Sequence, residues 1–123
     1  MKKIFLISFL FVSVICFAQD AVKFSSMNHS FGKIKKGTPV SYTFTFTNTG
    51  TRPLVVEVAT AECGCTTPDY PKQPIAKGAQ GKIKVTFNAA LSGVFHKTVT
   101  VKFANIDTPT TLSIDGEVLL PKT

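Results

Sequence analysis

The sequence predicts an all-β fold, namely an immunoglobulin-like β-sandwich of about seven strands. Three observations predict it. Apolar and polar residues alternate with a period of two in several runs, turn-forming residues separate these runs, and no stretch carries a convincing helical period. Short alternating strands of this number, within about 100 residues, are typical of such a sandwich.

The alternating runs define the individual strands. In each run one set of alternate residues is apolar, which gives the strand one buried face and one solvated face. The clearest runs are VSYTFTFTN (40–48), KIKVTFN (82–88), KTVTVKF (97–103) and TLSIDGEVLL (111–120). The shorter segments AVKFSS, HSFGKI and PLVVEVA complete the set, and Gly, Pro, Asn and Asp residues lie between them.

Phenylalanine and aliphatic side chains must fill the core of this sandwich. The chain has no Trp, so the buried Trp of antibody domains is absent. Seven of the 11 Phe residues lie beyond residue 18, and most of them fall on the apolar side of an alternating run. Full burial of one such side chain contributes about 1.5–3 kcal/mol, so a core without an inter-sheet disulfide is expected.

The first 18 residues have the pattern of a secretory signal peptide. Two lysines precede an apolar run over residues 4–15, and small or polar residues follow it. This run is shorter than the ~20 apolar residues of a membrane span. Cleavage before Gln19 would leave a single domain, 19–123, whereas a lipoprotein start at Cys16 is the less favoured alternative. We therefore expect a periplasmic or secreted protein without a membrane span.

Composition after cleavage limits the function classes. Loss of two lysines leaves 12 basic residues against 7 acidic ones, a net charge of +5, and two of the three cysteines remain. Four lysines on predicted strands would form one solvated basic face: Lys82, Lys84, Lys97 and Lys102. Without exposed aromatic residues or a binding motif, this face is expected to aid solubility and not to bind nucleic acid.

Cys63 and Cys65, separated only by Gly64, are the candidate functional site. They follow the strand PLVVEV and are expected to enter a Pro-rich loop at the end of the sandwich. On an extended strand, residues two apart would point to the same side, and an oxidising compartment favours pairing. Three interpretations remain open: a local disulfide or inert thiols without chemistry, a soft metal such as Cu(I) held by two thiolates, or thiol exchange with a partner. Structural zinc would need two further ligands. No other cofactor is expected.

The remaining polar residues give no catalytic pattern. His29 and His96 could complete a metal site, but both are expected to be exposed surface residues without a ligand. The chain has no Gly-x-Ser-x-Gly, His-Glu-x-x-His or phosphate-loop motif. We therefore expect no enzyme.

Several longer motifs resemble a known family. They are FGKIKKG (31–37), YTFTFTNTG (42–50), PLVVEVATAECGCTTPDYP (53–71), PIAKGAQGKIKVTFN (74–88), GVFHKTVTV (93–101) and LSIDGEV (112–118). In these motifs the chain resembles the exported bacterial family called domain of unknown function 1573, which is common in Bacteroidetes. The hallmark Cys-Gly-Cys-Thr run of that family corresponds to residues 63–66. The resemblance implies export and a sandwich related to Hydin/ASPM-type immunoglobulin-like modules, but no activity.

Two hypotheses about function follow from these observations. The first is a binding or assembly module that recognises an envelope or secreted protein, by strand addition at an open sheet edge. The alternative is a soft-metal (copper) binding or thiol-redox protein that acts through Cys63 and Cys65.

Overall fold

Two four-stranded β-sheets pack face to face in the computed structural model, which describes residues 21–121. The eight strands are β1 (Val22–Phe24), β2 (Asn28–Lys35), β3 (Val40–Asn48), β4 (Val56–Ala61), β5 (Thr66–Asp69), β6 (Gln80–Phe87), β7 (Gly93–Phe103) and β8 (Thr110–Leu119). The predicted sandwich is confirmed, with eight strands where about seven were expected. The predicted signal peptide, 1–18, lies outside the described residues.

The strand order places the chain's segments in two distinct layers. The first sheet has the order β1-β3-β6-β5, and the second has the order β2-β8-β7-β4. All pairs are antiparallel except β2 with β8, which run parallel. Over the described part of the chain, no helix is long and apolar enough to cross a membrane.

The core lies between the sheets and is built from the alternating apolar residues. Phe46 on β3 is fully buried, and its ring packs edge-on against Phe103 of β7 with the ring centroids 5.3 Å apart. Gly81 faces Phe46 across the β3–β6 pair. A Cβ atom at Gly81 would lie 2.7 Å from Cε2 of the Phe46 ring, so glycine there leaves the space that the ring fills.

A buried asparagine links three backbone segments by hydrogen bonds at one end of the sandwich. Asn48, the last residue of β3, is 1% exposed. Its side-chain amide donates to the carbonyl oxygens of Arg52 and Ile75 at 2.8 and 2.9 Å, and its Oδ1 accepts from the Gly50 N–H at 3.0 Å. Because every polar atom of the amide group finds a partner, a polar residue is stable at this buried position.

Two strands carry irregularities that change which residues face the core. The β2–β8 register shifts between Ser30 and Lys33, where Gly32 adopts a φ of 68°. The β4–β7 register shifts between Val56 and Val58. The extra residue in β4 moves Val58 to the solvent side, where it is 38% exposed, while Val56 stays buried.

Candidate functional site

Cys63 and Cys65 form a disulfide at the corner where the chain passes from the second sheet to the first. The two residues lie in a turn over 62–65 that joins β4 directly to β5. The turn brings the two Cα atoms to 5.3 Å, inside the usual range of about 4.4–6.8 Å for disulfides. A strand, β5, also stands where a Pro-rich loop was expected.

Thr66 ties the disulfide to the body of the sandwich. The residue is buried, and its hydroxyl oxygen lies 3.7 Å from Sγ of Cys63 and 3.6 Å from Sγ of Cys65. A disulfide sulfur carries no proton, so the hydroxyl is the donor in both contacts. The backbone N–H of Asn88 also donates to the Cys65 carbonyl at 2.9 Å, which joins the corner to the end of β6.

An open pocket of about 430 Å³ lies beside the disulfide at this end of the sandwich. Its lining includes Cys65 and the stacked rings of Phe87 and Phe95, whose centroids are 4.1 Å apart. Leu91 and Val94 line its rim and are 81% and 84% exposed. Both are large apolar side chains in contact with water beside the disulfide. Sequence reasoning missed them. Leu91 lies in the segment NAALSG (88–93), which reads as a turn, and Val94 directly follows that segment.

Lys97 lines the same pocket. It does not share one basic face with the other three lysines, contrary to the sequence prediction. Lys82 and Lys84 are exposed on β6 of the first sheet, whereas Lys97 and Lys102 lie on β7 of the second. The predicted common face was therefore wrong, since the two strands belong to different layers. Lys97 is half-buried and shares the inward parity of Val99, a signal that was present in the run KTVTVKF.

Lys102, the other lysine of β7 named above, interacts with neighbouring residues. The ammonium group of Lys102 donates to the Phe103 carbonyl at 2.7 Å and lies 3.7 Å from a carboxylate oxygen of Glu57. Such a partly exposed ion pair contributes little to stability.

The histidines do not join the cysteines in a ligand set. His29 is half-buried and not exposed as expected: its ring stacks on Tyr42, with the centroids 3.7 Å apart, and meets Phe31 edge-on. His96 is exposed on β7 opposite Asp115, as expected. Within residues 21–121, no group of three or more His, Cys, Asp or Glu side chains could hold a metal ion.

Four strands lie at the sheet edges, and three of them are protected against pairing with another strand. Strand β1 has only three residues, β5 has four and contains Pro68, and β2 carries Lys33 and Lys35 beside its register shift. Short length, proline, lysine and bulges are the features that block edge-to-edge association. Strand β4 has six residues, VEVATA, without lysine or proline. Its bulge lies at its start, between Val56 and Val58, and residues 59–61 beyond it pair in regular register with β7.

The hydrogen-bond pattern shows which backbone groups β4 offers to a partner. The Glu62 N–H donates to the Thr98 carbonyl at 3.4 Å, and bonded pairs alternate along an antiparallel ladder. Ala59 and Ala61 therefore direct their N–H and C=O groups away from β7. By the same alternation from the bond to the Cys65 carbonyl, Pro68 stands at an outward position of β5, where it removes an outward donor.

Comparisons with known proteins agree with this architecture. A family model described as "Protein of unknown function (DUF1573)" matches residues 22–118. No curated protein sequence matches the chain.

Similar solved structures include a protein of unknown function from Porphyromonas gingivalis W83, with a TM-score of 0.69 and 13% identity over 82% of this chain. The chain spans only 50% of that protein's length. The PapD-like domain 7 of human CEP192 has a TM-score of 0.70 and 10% identity, over 90% of this chain and 97% of that domain. The YadV chaperone has a TM-score of 0.51 and 17% identity, over 80% of this chain and 52% of that one. At these identities the likeness shows the fold alone.

Proposed function

The chain belongs to the family of proteins of unknown function DUF1573, and from this premise we propose that it is an exported binding and assembly module. It captures an extended segment of an envelope or secreted protein, which adds as a fifth strand to the second sheet along β4. The observation that carries the proposal is the edge of β4 beyond its bulge, where residues 59–61 include neither lysine nor proline and present outward backbone groups.

The β4 edge has what strand addition requires. The outward backbone groups of Ala59 and Ala61 supply donors and acceptors for a new ladder, which gives affinity without a particular partner sequence. Val58, exposed by the bulge, supplies an apolar contact beside that ladder. A sheet edge left open risks aggregation, and among the described strands the other three edges have very short length, proline or lysine along them, which residues 59–61 of β4 lack. A binding role for β4 explains that difference.

Export and the kind of partner are supported by the sequence. Residues 1–18 have the three-part pattern of a secretory signal, and a disulfide persists best in an oxidising compartment. Two neighbours in fold are named a PapD-like domain and a chaperone, which is compatible with a sandwich that acts by holding other chains. We therefore place the partner among the proteins of the same compartment.

Ala61→Pro tests this proposal without breaking the molecule's own ladder. Proline at position 61 removes an outward N–H and adds a ring on the side where the partner would lie, as Pro68 does on β5. Capture of partners from the native envelope, measured by cross-linking and mass spectrometry, should fall by about tenfold or more, since one lost backbone bond and a steric clash exceed about 1.4 kcal/mol.

Two further measurements separate this result from misfolding or general stickiness. Thr60→Val changes an exposed β4 side chain but no backbone donor, so this control should capture partners as the wild type does. Hydrogen exchange on the captured complex should slow at the amides of residues 59 and 61. Equal capture by Ala61→Pro and wild type, with both folded, would refute strand addition at β4.

The second candidate function is soft-metal binding or thiol-redox activity at Cys63 and Cys65. The observation that favours the thiol-redox form is the disulfide itself, at a half-buried surface turn within reach of reagents. The soft-metal form requires that this disulfide be reduced to two thiolates. Intact mass should be about 2 Da below that of the reduced chain if the disulfide forms in the exported protein. Copper that copurifies with free thiols would instead favour a Cu(I) site. Replacement of both cysteines by serine should abolish whichever property is found.

A further inference from the structure

We infer that the pocket beside the disulfide receives a partner cysteine flanked by apolar side chains, and that this cysteine forms a mixed disulfide with Cys65. The inference deepens the thiol-redox candidate and rests on it, while strand addition at β4 is independent of it. Its occupant is an apolar, cysteine-containing peptide segment of another protein.

The pocket supplies the selectivity. Its floor is formed by the stacked rings of Phe87 and Phe95, and Leu91 and Val94 stand almost fully exposed at its rim. When an apolar peptide segment binds at this rim, the exposed side chains of Leu91 and Val94 are shielded from water. Burial of apolar surface is favourable, so the segment binds. Polar peptides gain nothing from this rim. The disulfide thus lies beside a surface that discriminates among thiols by their neighbours.

The pocket also determines which sulfur is attacked. Cys65 lines it and Cys63 does not, so a thiolate that approaches from the pocket meets Sγ of Cys65 first. The incoming sulfur forms a bond to Cys65 as the bond between Cys65 and Cys63 breaks. The electron pair of the broken bond goes to Cys63, which leaves as a thiolate and takes a proton from water. The partner thiol is the reductant, and no other reagent is needed.

Two side chains assist this exchange. The Thr66 hydroxyl lies 3.7 Å from Sγ of Cys63 and can donate to the thiolate that forms there. Thr66 therefore acts as a positioning residue for the leaving sulfur. Lys97 lines the pocket with a positive charge, which favours the thiolate form of the entering cysteine. An aspartate next to that cysteine would weaken this assistance.

The experiment compares two short peptides with the intact disulfide protein. One carries cysteine between leucines, the other carries cysteine between serines, and mixed-disulfide formation is followed by mass spectrometry with fragment mapping of the attached sulfur. The leucine peptide should react about tenfold faster, the factor expected from partial burial of a leucine side chain. The adduct should lie on Cys65.

Matched variants separate docking from simple reactivity. Leu91→Ser with Val94→Ser should remove the preference, so that the leucine and serine peptides react at the same rate. Leu120→Ser, which changes an exposed leucine outside the pocket lining, should keep the preference. Thr66→Val should slow both peptides by a common factor, and Thr66→Ser should restore the rate.

Three results would overturn the inference. Equal rates for the two wild-type reactions would refute docking while leaving thiol exchange intact. An adduct on Cys63 would refute the assigned direction of attack. If neither peptide reacted with the oxidised protein, the thiol-redox candidate would itself fail, and the capture assay on β4 would still decide the binding proposal.

Discussion

Replacing both Cys63 and Cys65 with serine should lower the free energy of unfolding by less than about 2 kcal/mol. The disulfide joins residues with a sequence separation of 2, so it closes a loop of only three residues. The chain-entropy model gives about 1.6 kcal/mol for such a loop at 25 °C, roughly half of the value for a fifteen-residue loop. Both side chains are half-buried, so little apolar packing is lost in addition.

Chemical denaturation of the two proteins, followed by circular dichroism, measures this difference. A reference variant sets the scale in the same assay: Phe46→Ala removes a fully buried ring from the centre of the core and should cost about 3–5 kcal/mol. Reduction of the wild type should reproduce the serine variant's curve within about 0.5 kcal/mol, since both open the same small loop.

The opposite outcome would contradict the reasoning. A loss in the double serine variant as large as that of Phe46→Ala would mean that the disulfide holds the β4–β5 corner in place. It would then be a structural clip, and its chemistry would no longer be needed to explain it. A small loss instead means that stability alone does not account for two cysteines at this turn.

Two other substitutions test the core and the buried corner. Gly81→Ala should destabilise the protein by about 1–3 kcal/mol, because its Cβ would enter the Phe46 ring. Phe46→Leu in the same chain should recover part of this loss, and strictly additive losses in a double-mutant cycle would contradict that contact. Asn48→Asp should lose stability as pH rises, because an ionised carboxylate faces two backbone carbonyls, so the pKa of the introduced carboxyl is raised in the folded state. Thermal melts relative to the wild type should therefore separate increasingly from about pH 4 to about pH 8, and a constant difference would refute this.

The alternating runs predicted the core because each residue's burial depends mainly on its own strand's parity. Phe44, Ile83 and Val85 are buried as their runs indicate. Parity does not say which strand lies beside which, so the parallel neighbour of β2 could not be predicted. It also fails at a bulge, which is why Val58 faces solvent although its run reads as apolar.

The candidate site was predicted only as a pair of neighbouring thiols. Spacing located Cys63 and Cys65, but it could not bring Leu91 or Lys97 to them, since these residues approach through the pairing of sheets. The segment Thr66–Asp69 reads as a loop because of its proline, and its edge position is what makes a strand with that proline stable. Buried Asn48 reads as a turn residue, because one of the two backbone carbonyls that accept from its amide belongs to Ile75, in a segment distant in the sequence.

The position of β8 has a kinetic consequence. This strand is the last of the eight described strands, yet it lies inside the second sheet, between β2 and β7. A growing chain that has not reached Thr110 lacks the strand that joins those two, so the second sheet cannot close during synthesis of the earlier segments. Sheets formed by such distant pairings fold slowly. The first sheet, which contains no part of β8, can pair earlier, so the closing of the second sheet is the step that waits for this ten-residue strand.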